Sequence, residues 1–265
     1  MFIQEEILGC VTFILYKDLE GEFHHVGTGF FIGEYVKEVD STLIYVVTAK
    51  HIIGGIKVRK NDGYVYLKMN FKEGGTRLTS TVLEDWEYHD SDPFADVAVF
   101  FGAPKTNFYK YIGLSLEKFA KHDQMDKLEI GTGDDVFILG LFNNHLGKNR
   151  ILPILRKGSI AMMPSEPVQA LLGDRKVSME AYLVECMSTG GLSGSPVFVI
   201  IRSSKSISLL GVVQGHWVQA ELGDRTFKEE IHNKGIAIVT PIEKVLEIIR
   251  QEKISSLRKN IIERK

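Results

Sequence analysis

The segment Ser188–Phe198 reads STGGLSGSPVF, three glycines and three serines ahead of a proline and an apolar run. Glycine at that density weakens any helix or strand interior, so the backbone needs its freedom there for another purpose. One such purpose is chemical. A nucleophilic hydroxyl needs a base beside it, and a developing oxyanion needs backbone N–H groups already turned toward it. Gly190, Gly191 and Gly194 around Ser193 would allow that turn, and Pro196 with VFVII would open the next strand.

The base and its orienting carboxylate are found upstream. VVTAKHII (Val46–Ile53) puts His51 just after an apolar strand, and DPFADVAVF (Asp92–Phe100) puts Asp96 at the head of another. The order His51, Asp96, Ser193 assigns the first two to one half of the chain and the serine to the other. A site made from all three therefore lies in a cleft between the halves.

The rest of the chain suits a β scaffold. Short apolar segments such as STLIYVVTA, YVYLKMNF, DDVFILGLF, AYLVECM and GIAIVTPI are rich in Val, Ile, Phe and Tyr and are bounded by Gly, Asp, Asn or Ser. Many short strands without long intervening helices predict an all-β barrel or sandwich. No strict repeat occurs, which disfavours a propeller or solenoid. At 265 residues the chain holds one large all-β domain or two small ones. Tyr111–Glu129 is the most polar long stretch and reads as a linker between residues 1–115 and 125–241. In residues 242–265 the period changes: Ile242, Val245, Leu246, Ile248 and Ile249 share one helical face, predicting a helix docked on the β body. The six basic and two acidic residues from Arg250 onward read as a solvated helix face and a basic tail.

A net charge of -2 gives no reason to expect nucleic acid as the main partner. MFIQEEILGCVTFILY has no basic leader and is interrupted by Glu5 and Glu6, and no run of about 18 apolar residues occurs, so the chain is read as cytoplasmic and spanning no membrane. Cys10 and Cys186, far apart and each in an apolar context, read as buried reduced thiols rather than a disulfide. Neither has a partner at metal-ligand spacing, and His24, His25, His89, His122, His145 and His232 read as surface residues; no metal or cofactor is expected.

TAKH around His51, DVAV at Asp96 and GGLSGSP around Ser193 resemble the motifs of trypsin-like (chymotrypsin-fold) serine peptidases. LLGVVQG and KGIAIVTPIEKVLEII are similar to that family's substrate-binding strand, last strand and closing helix. GTGFFIG and GDDVFILGL resemble its intracellular bacterial branch, and STGGLSGSPVF is close to the serine motif of glutamyl endopeptidases. The likeness runs from about Val11 to Ile249.

The resemblance implies two six-stranded antiparallel β-barrels with a C-terminal helix: residues 1–115 carrying His51 and Asp96, and 125–241 carrying Ser193. It implies that Ser193 attacks a peptide carbonyl, His51 moves the proton and Asp96 orients the imidazole. The N–H groups of Gly191 and Ser193 would form the oxyanion hole. Gln214, Gly215 and His216 would pair with an extended polypeptide substrate, with Met187, Ser188 and Gly235 completing the substrate-binding positions.

Two departures matter. Activated digestive members carry an aspartate just before the serine to receive a new N-terminal ammonium. Here that residue is Leu192, so zymogen activation of that kind is unavailable, and the chain is active as made or controlled by a conformational change or a regulatory protein partner. Met187 stands at the base of the family's specificity pocket, where an uncharged thioether disfavours cleavage after Lys or Arg. An apolar pocket floored by Met187 is favoured over one in which Ser188 and His216 bind a substrate carboxylate. The alternative to an enzyme is a binding module that keeps the barrels and has lost turnover. Directed cleavage of one protein partner in a stress or defence response is the expected role, with protein quality control as its rival.

Overall fold

The computed structural model describes residues 5–102, 104, 106–142, 145–147, 149–172, 175–187, 191–219 and 232–263. In chain order the elements of the first half are β1 (Val11–Lys17), β2 (Phe23–Val36), β3 (Ser41–Thr48), α1 (Lys50–Lys57), β4 (Tyr64–Phe71), β5 (Thr76–Val82), β6 (Trp86–Tyr88), β7 (Ala98–Phe101), β8 (Tyr109–Lys110) and β9 (Leu114–Ser115). After a short α2 (Met125–Leu128) come β10 (Asp135–Gly140), β11 (Ile154–Met162), β12 (Val168–Leu172), β13 (Arg175–Met179), β14 (Tyr182–Glu185), β15 (Pro196–Ile201), β16 (Ser206–Gln219) and β17 (His232–Pro241). Two helices follow, α3 (Ile242–Arg250) and α4 (Glu252–Glu263).

The molecule is mostly β, as composition and strand spacing predict. In the second half, β10-β11-β14-β17-β16-β15 close into a six-stranded antiparallel barrel, with β12 and β13 forming a separate hairpin. The barrel interior is filled by Val136, Ile138, Ile160, Tyr182, Val184, Val197, Val199, Leu210 and Val239, the inward members of alternating strands.

The first half differs from the closed six-stranded barrel that the resemblance implies. Its strands run β5-β4-β1-β2-β3-β7-β6 as an open half-barrel, with β8 on β4 and β9 parallel to β2. Helix α1 fills the gap where a closing ladder would run. Ile52, Ile53 and Ile56 of α1 pack with Val65, Leu83 and Trp86 in the sheet's interior.

Strand β2 shows why its apolar run is continuous. Phe31 faces that interior, while Phe30 and Ile32 face the opposite side and meet the barrel. Both faces of the strand are therefore buried, which removes the polar alternation of a one-sided sheet. The same inter-half core holds Phe137, Leu139, Phe198 and Val212 of the barrel and Ile242, Val245, Leu246, Ile248 and Ile249 of α3. Each such aliphatic contributes about 1.5–3 kcal/mol relative to exposure, so α3 is an integral seam between the halves. The linker also carries structure: β9 pairs with β2, and the Ala120 N–H donates to Leu209 O (2.9 Å).

The predicted C-terminal helix is two helices. Gln251 turns extended (ψ 155°) between them. Its side-chain amide donates to Tyr88 O (2.9 Å) and accepts from the Asp90 N–H (3.0 Å), bonds that a continuous helix would aim elsewhere. Cys10 and Cys186 are free and buried, matching the sequence reading. No described helix is long and apolar enough to cross a membrane.

Candidate active site

His51 sits in the first turn of α1, directly after β3. Ile52, Ile53 and Ile56 bury the inner face of that helix, leaving the His51 side chain on its outer face and 47% exposed. Asp96 precedes β7 in the stretch Ala95–Val97, whose two apolar members are buried, and is itself only 8% exposed.

Both oxygens of the Asp96 carboxylate are committed to His51. Oδ1 accepts the His51 backbone N–H (2.8 Å), and Oδ2 lies 2.6 Å from His51 Nδ1. A carboxylate only accepts, so Nδ1 carries the hydrogen and Nε2 keeps its lone pair for another proton. Burial works against the imidazolium, but the hydrogen bond and charge of Asp96 outweigh it, so the His51 pKa lies above the ordinary histidine value.

The loop that delivers Asp96 is stapled to α3. Asp92 caps the turn by accepting the N–H groups of Phe94 (3.0 Å) and Ala95 (3.2 Å). Lys244 of α3 bridges Asp92 (3.2 Å), Glu180 (3.4 Å) and Glu247 (3.5 Å), joining that loop to the barrel. His89 Nε2 meets Glu247 (2.5 Å), while His89 Nδ1 accepts the Asp92 N–H (2.9 Å). His89 was expected at the surface; its side chain is 8% exposed and structural.

Ser193 lies on the loop between β14 and β15, and that loop presses on the end of β3. Gly194 has φ +80°, and a Cβ there would lie 2.2 Å from Thr28 O, 2.3 Å from Thr48 Oγ1 and 3.0 Å from Ala49 N. Only glycine allows this approach, which brings the serine loop against the two residues leading into α1 and His51. The Gly194 N–H donates to Val213 O (2.8 Å) and the Val213 N–H to Ser195 O (2.9 Å), tying the loop to β16.

Next along β16, Gln214 is a bulge residue between the pairs Val213↔Val239 and Gly215↔Ile238. Bulges re-aim backbone groups, and here the Gln214 carbonyl receives the Ser193 hydroxyl over 3.3 Å. That bond is long, and the hydroxyl's partner is this carbonyl rather than the imidazole. Neither the Gly191 nor the Ser193 N–H has a hydrogen-bond partner among the described residues.

Thr28, within GTGFFIG, makes four hydrogen bonds that join the serine loop to Leu141 and to the end of β3. Its N–H donates to Ser193 O (3.0 Å) and its hydroxyl to Gly191 O (2.9 Å). The same hydroxyl accepts the Leu141 N–H (2.7 Å), and the Thr28 carbonyl accepts Thr48 Oγ1 (2.7 Å). The available signal was a polar residue set between two glycines just ahead of the apolar run Phe30–Ile32.

Of the substrate-binding positions, Gln214 is buried and Gly215 and His216 are half-buried. Pairing of β15 with β16 stops at Pro196↔Val212, so the edge of Gln214–His216 away from β17 carries no strand among the described residues. Met187 is 71% exposed and lines an open cavity of about 560 Å³, together with Gly158, Cys186 and Gly235. Gly235 accepts the Cys186 N–H through its carbonyl (2.7 Å). Ser188 and Gly190 lie outside the described residues, as do the side chains of residues 217–219 and 232–234. No group of three or more His, Cys, Asp or Glu side chains able to hold a metal occurs among the described residues.

No protein-family model and no curated protein matches the sequence.

Proposed function

We propose that the chain is a serine endopeptidase that hydrolyses peptide bonds through an acyl-enzyme, with Ser193 as nucleophile, His51 as general base and Asp96 as its orienting partner. The observation that carries this reading is the two-point grip of Asp96 on His51, which directs the Nδ1 hydrogen to the carboxylate and leaves Nε2 as the nitrogen able to take a proton. In the proposed cycle the Ser193 hydroxyl leaves Gln214 O and passes its proton to Nε2. The alkoxide adds to the carbonyl carbon, and the oxyanion is received by the N–H groups of Gly191 and Ser193. Collapse releases the amine with that proton, and water repeats the sequence on the ester. The edge of Gln214–His216, unpaired among the described residues, suits an extended polypeptide added as a further strand.

A fluorophosphonate reacts only with an activated serine, so the full-length chain is expected to label once, at Ser193, without prior processing. Labelling that is absent, or that persists in Ser193→Ala, sinks the assignment. One observation favours the second reading, a silent binding module: the Ser193 hydroxyl is bonded to Gln214 O and not to His51. That reading predicts peptide binding with no labelling.

The base works only when neutral, so turnover should rise with pH through the His51 pKa. Because that pKa is raised, the midpoint is expected above the ordinary value of about 6.5, and Asp96→Asn should lower it. A pH–rate profile for the acylation step that is flat from pH 5 to 9 contradicts His51 as base. The same shift sets a stability trend. The folded pKa exceeds the unfolded one, so the ion pair's contribution is full below about pH 6.5 and fades as pH rises through the folded value.

A further inference from the structure

We infer that Thr28 is the positioning residue that locks the oxyanion loop, an inference that rests on the proposed peptidase reading. Peptide planes are rigid, so fixing a carbonyl fixes the N–H on the other side of its plane. Three consecutive planes matter. The Gly191 carbonyl takes the Thr28 hydroxyl (2.9 Å), and the Ser193 carbonyl takes the Thr28 N–H (3.0 Å). Between them, the Leu192 carbonyl takes the Ser195 N–H (3.0 Å). The Ser193 N–H is therefore in a plane held by its own carbonyl and flanked by two planes that Thr28 holds. It has no partner among the described residues, as a donor waiting for an oxyanion requires.

The hydroxyl has one hydrogen to give, and Leu141 decides where it goes. By donating its N–H to Thr28 Oγ1 (2.7 Å), Leu141 occupies a lone pair and leaves the hydrogen for Gly191 O. Thr28 is fully buried, so no water substitutes for it, and the Thr48 hydroxyl on its carbonyl fixes the strand from the other side. Leu192 is 1% exposed within the barrel core and offers the loop no charge to be held by. A neutral hydroxyl from the first half of the chain thus holds a loop of the second.

The test measures kcat, KM and affinity for a peptide boronic acid, which forms a tetrahedral anion on the serine. Removing an oxyanion donor outright costs about 10²–10³ in kcat, and misdirecting one through Thr28→Val is expected to lose part of this, at least about tenfold. KM should change by less than about threefold, and boronate affinity should fall in parallel with kcat, as for an interaction made only in the transition state. Thr28→Ser keeps the hydroxyl and should restore both. Where Thr28→Val does not accumulate folded, Thr28→Ala, which leaves room for a water, takes its place. Folded Thr28→Val or Thr28→Ala with parental kcat and boronate affinity overturns the inference, as does a folded Thr28→Ser as impaired as they are. If the parent chain does not label with fluorophosphonate, the peptidase reading itself has failed; if it labels and the variants match it, only the role of Thr28 has.

Discussion

Ser193→Ala, His51→Ala and the double variant are expected to be equally inactive, each slower than the parent chain by about 10⁴–10⁶ in kcat. The reason is that the proposed groups share one transition state. Without the base the hydroxyl is a poor nucleophile, and without the hydroxyl the base has no proton to take. Asp96→Asn belongs to the same unit with a smaller loss, since its carboxylate holds the Nδ1 tautomer over 2.6 Å while the reacting atoms are elsewhere. Ser193→Ala removes one half-buried hydroxyl with a single long bond, so unfolding free energy should stay within about 1 kcal/mol of the parent. Steady-state cleavage of an unfolded protein, followed by mass spectrometry, is the measurement. Losses that multiply in the double variant would mean that His51 and Ser193 act independently.

Gly194→Ala is expected to fold poorly and to lose at least about a hundredfold in turnover where it does fold. Two effects combine. A side chain at φ +80° is strained by about 1–2 kcal/mol whatever surrounds it. Its Cβ would also lie 2.2 Å from a backbone oxygen, a clash that rotating a side chain does not relieve. The serine loop must back away from β3, and a displacement near 1 Å costs about 10² in rate. Gly133→Ala separates the two effects. Gly133 has φ +91° with nothing within 4 Å, so it should lose stability by the conformational cost alone and keep its activity. Urea unfolding with turnover measured on both variants decides the matter, and a Gly194→Ala protein as active as Gly133→Ala would mean that the loop does not press on β3.

What the sequence made legible is what local pattern encodes. Strand segments show in runs of Val, Ile and Phe, and the pairing of His51 with Asp96 shows because each follows or opens such a run. The glycines around Ser193 mark a special backbone by their density. The open sheet of the first half was not legible, because α1 and an absent ladder compete for the same interior and only packing selects α1. The break at Gln251 was hidden for a similar reason. The bonds that bend the chain go to Tyr88 and Asp90, far away in sequence. Thr28 was invisible as a site residue because its partners Leu141 and Gly191 are 113 and 163 positions distant. Met187 lines an open cavity while being 71% exposed, an exposure that its position in the sequence did not show.

The staple between α3 and the Asp96 loop bears on timing. A chain leaves the ribosome from its N-terminus at about 5–20 residues per second. His51, Asp96 and Ser193 are all translated before β17 closes the barrel, and before α3 brings Lys244 to Asp92. On the proposed reading, a nascent chain holds the three reactive side chains while lacking the contacts that fix them. Hydrolytic power would then begin with the docking of α3, after synthesis of the half-barrel and the barrel is over. If the chain is a peptidase, such an order of assembly would keep it silent during the period when its own unfolded strands are the nearest substrate.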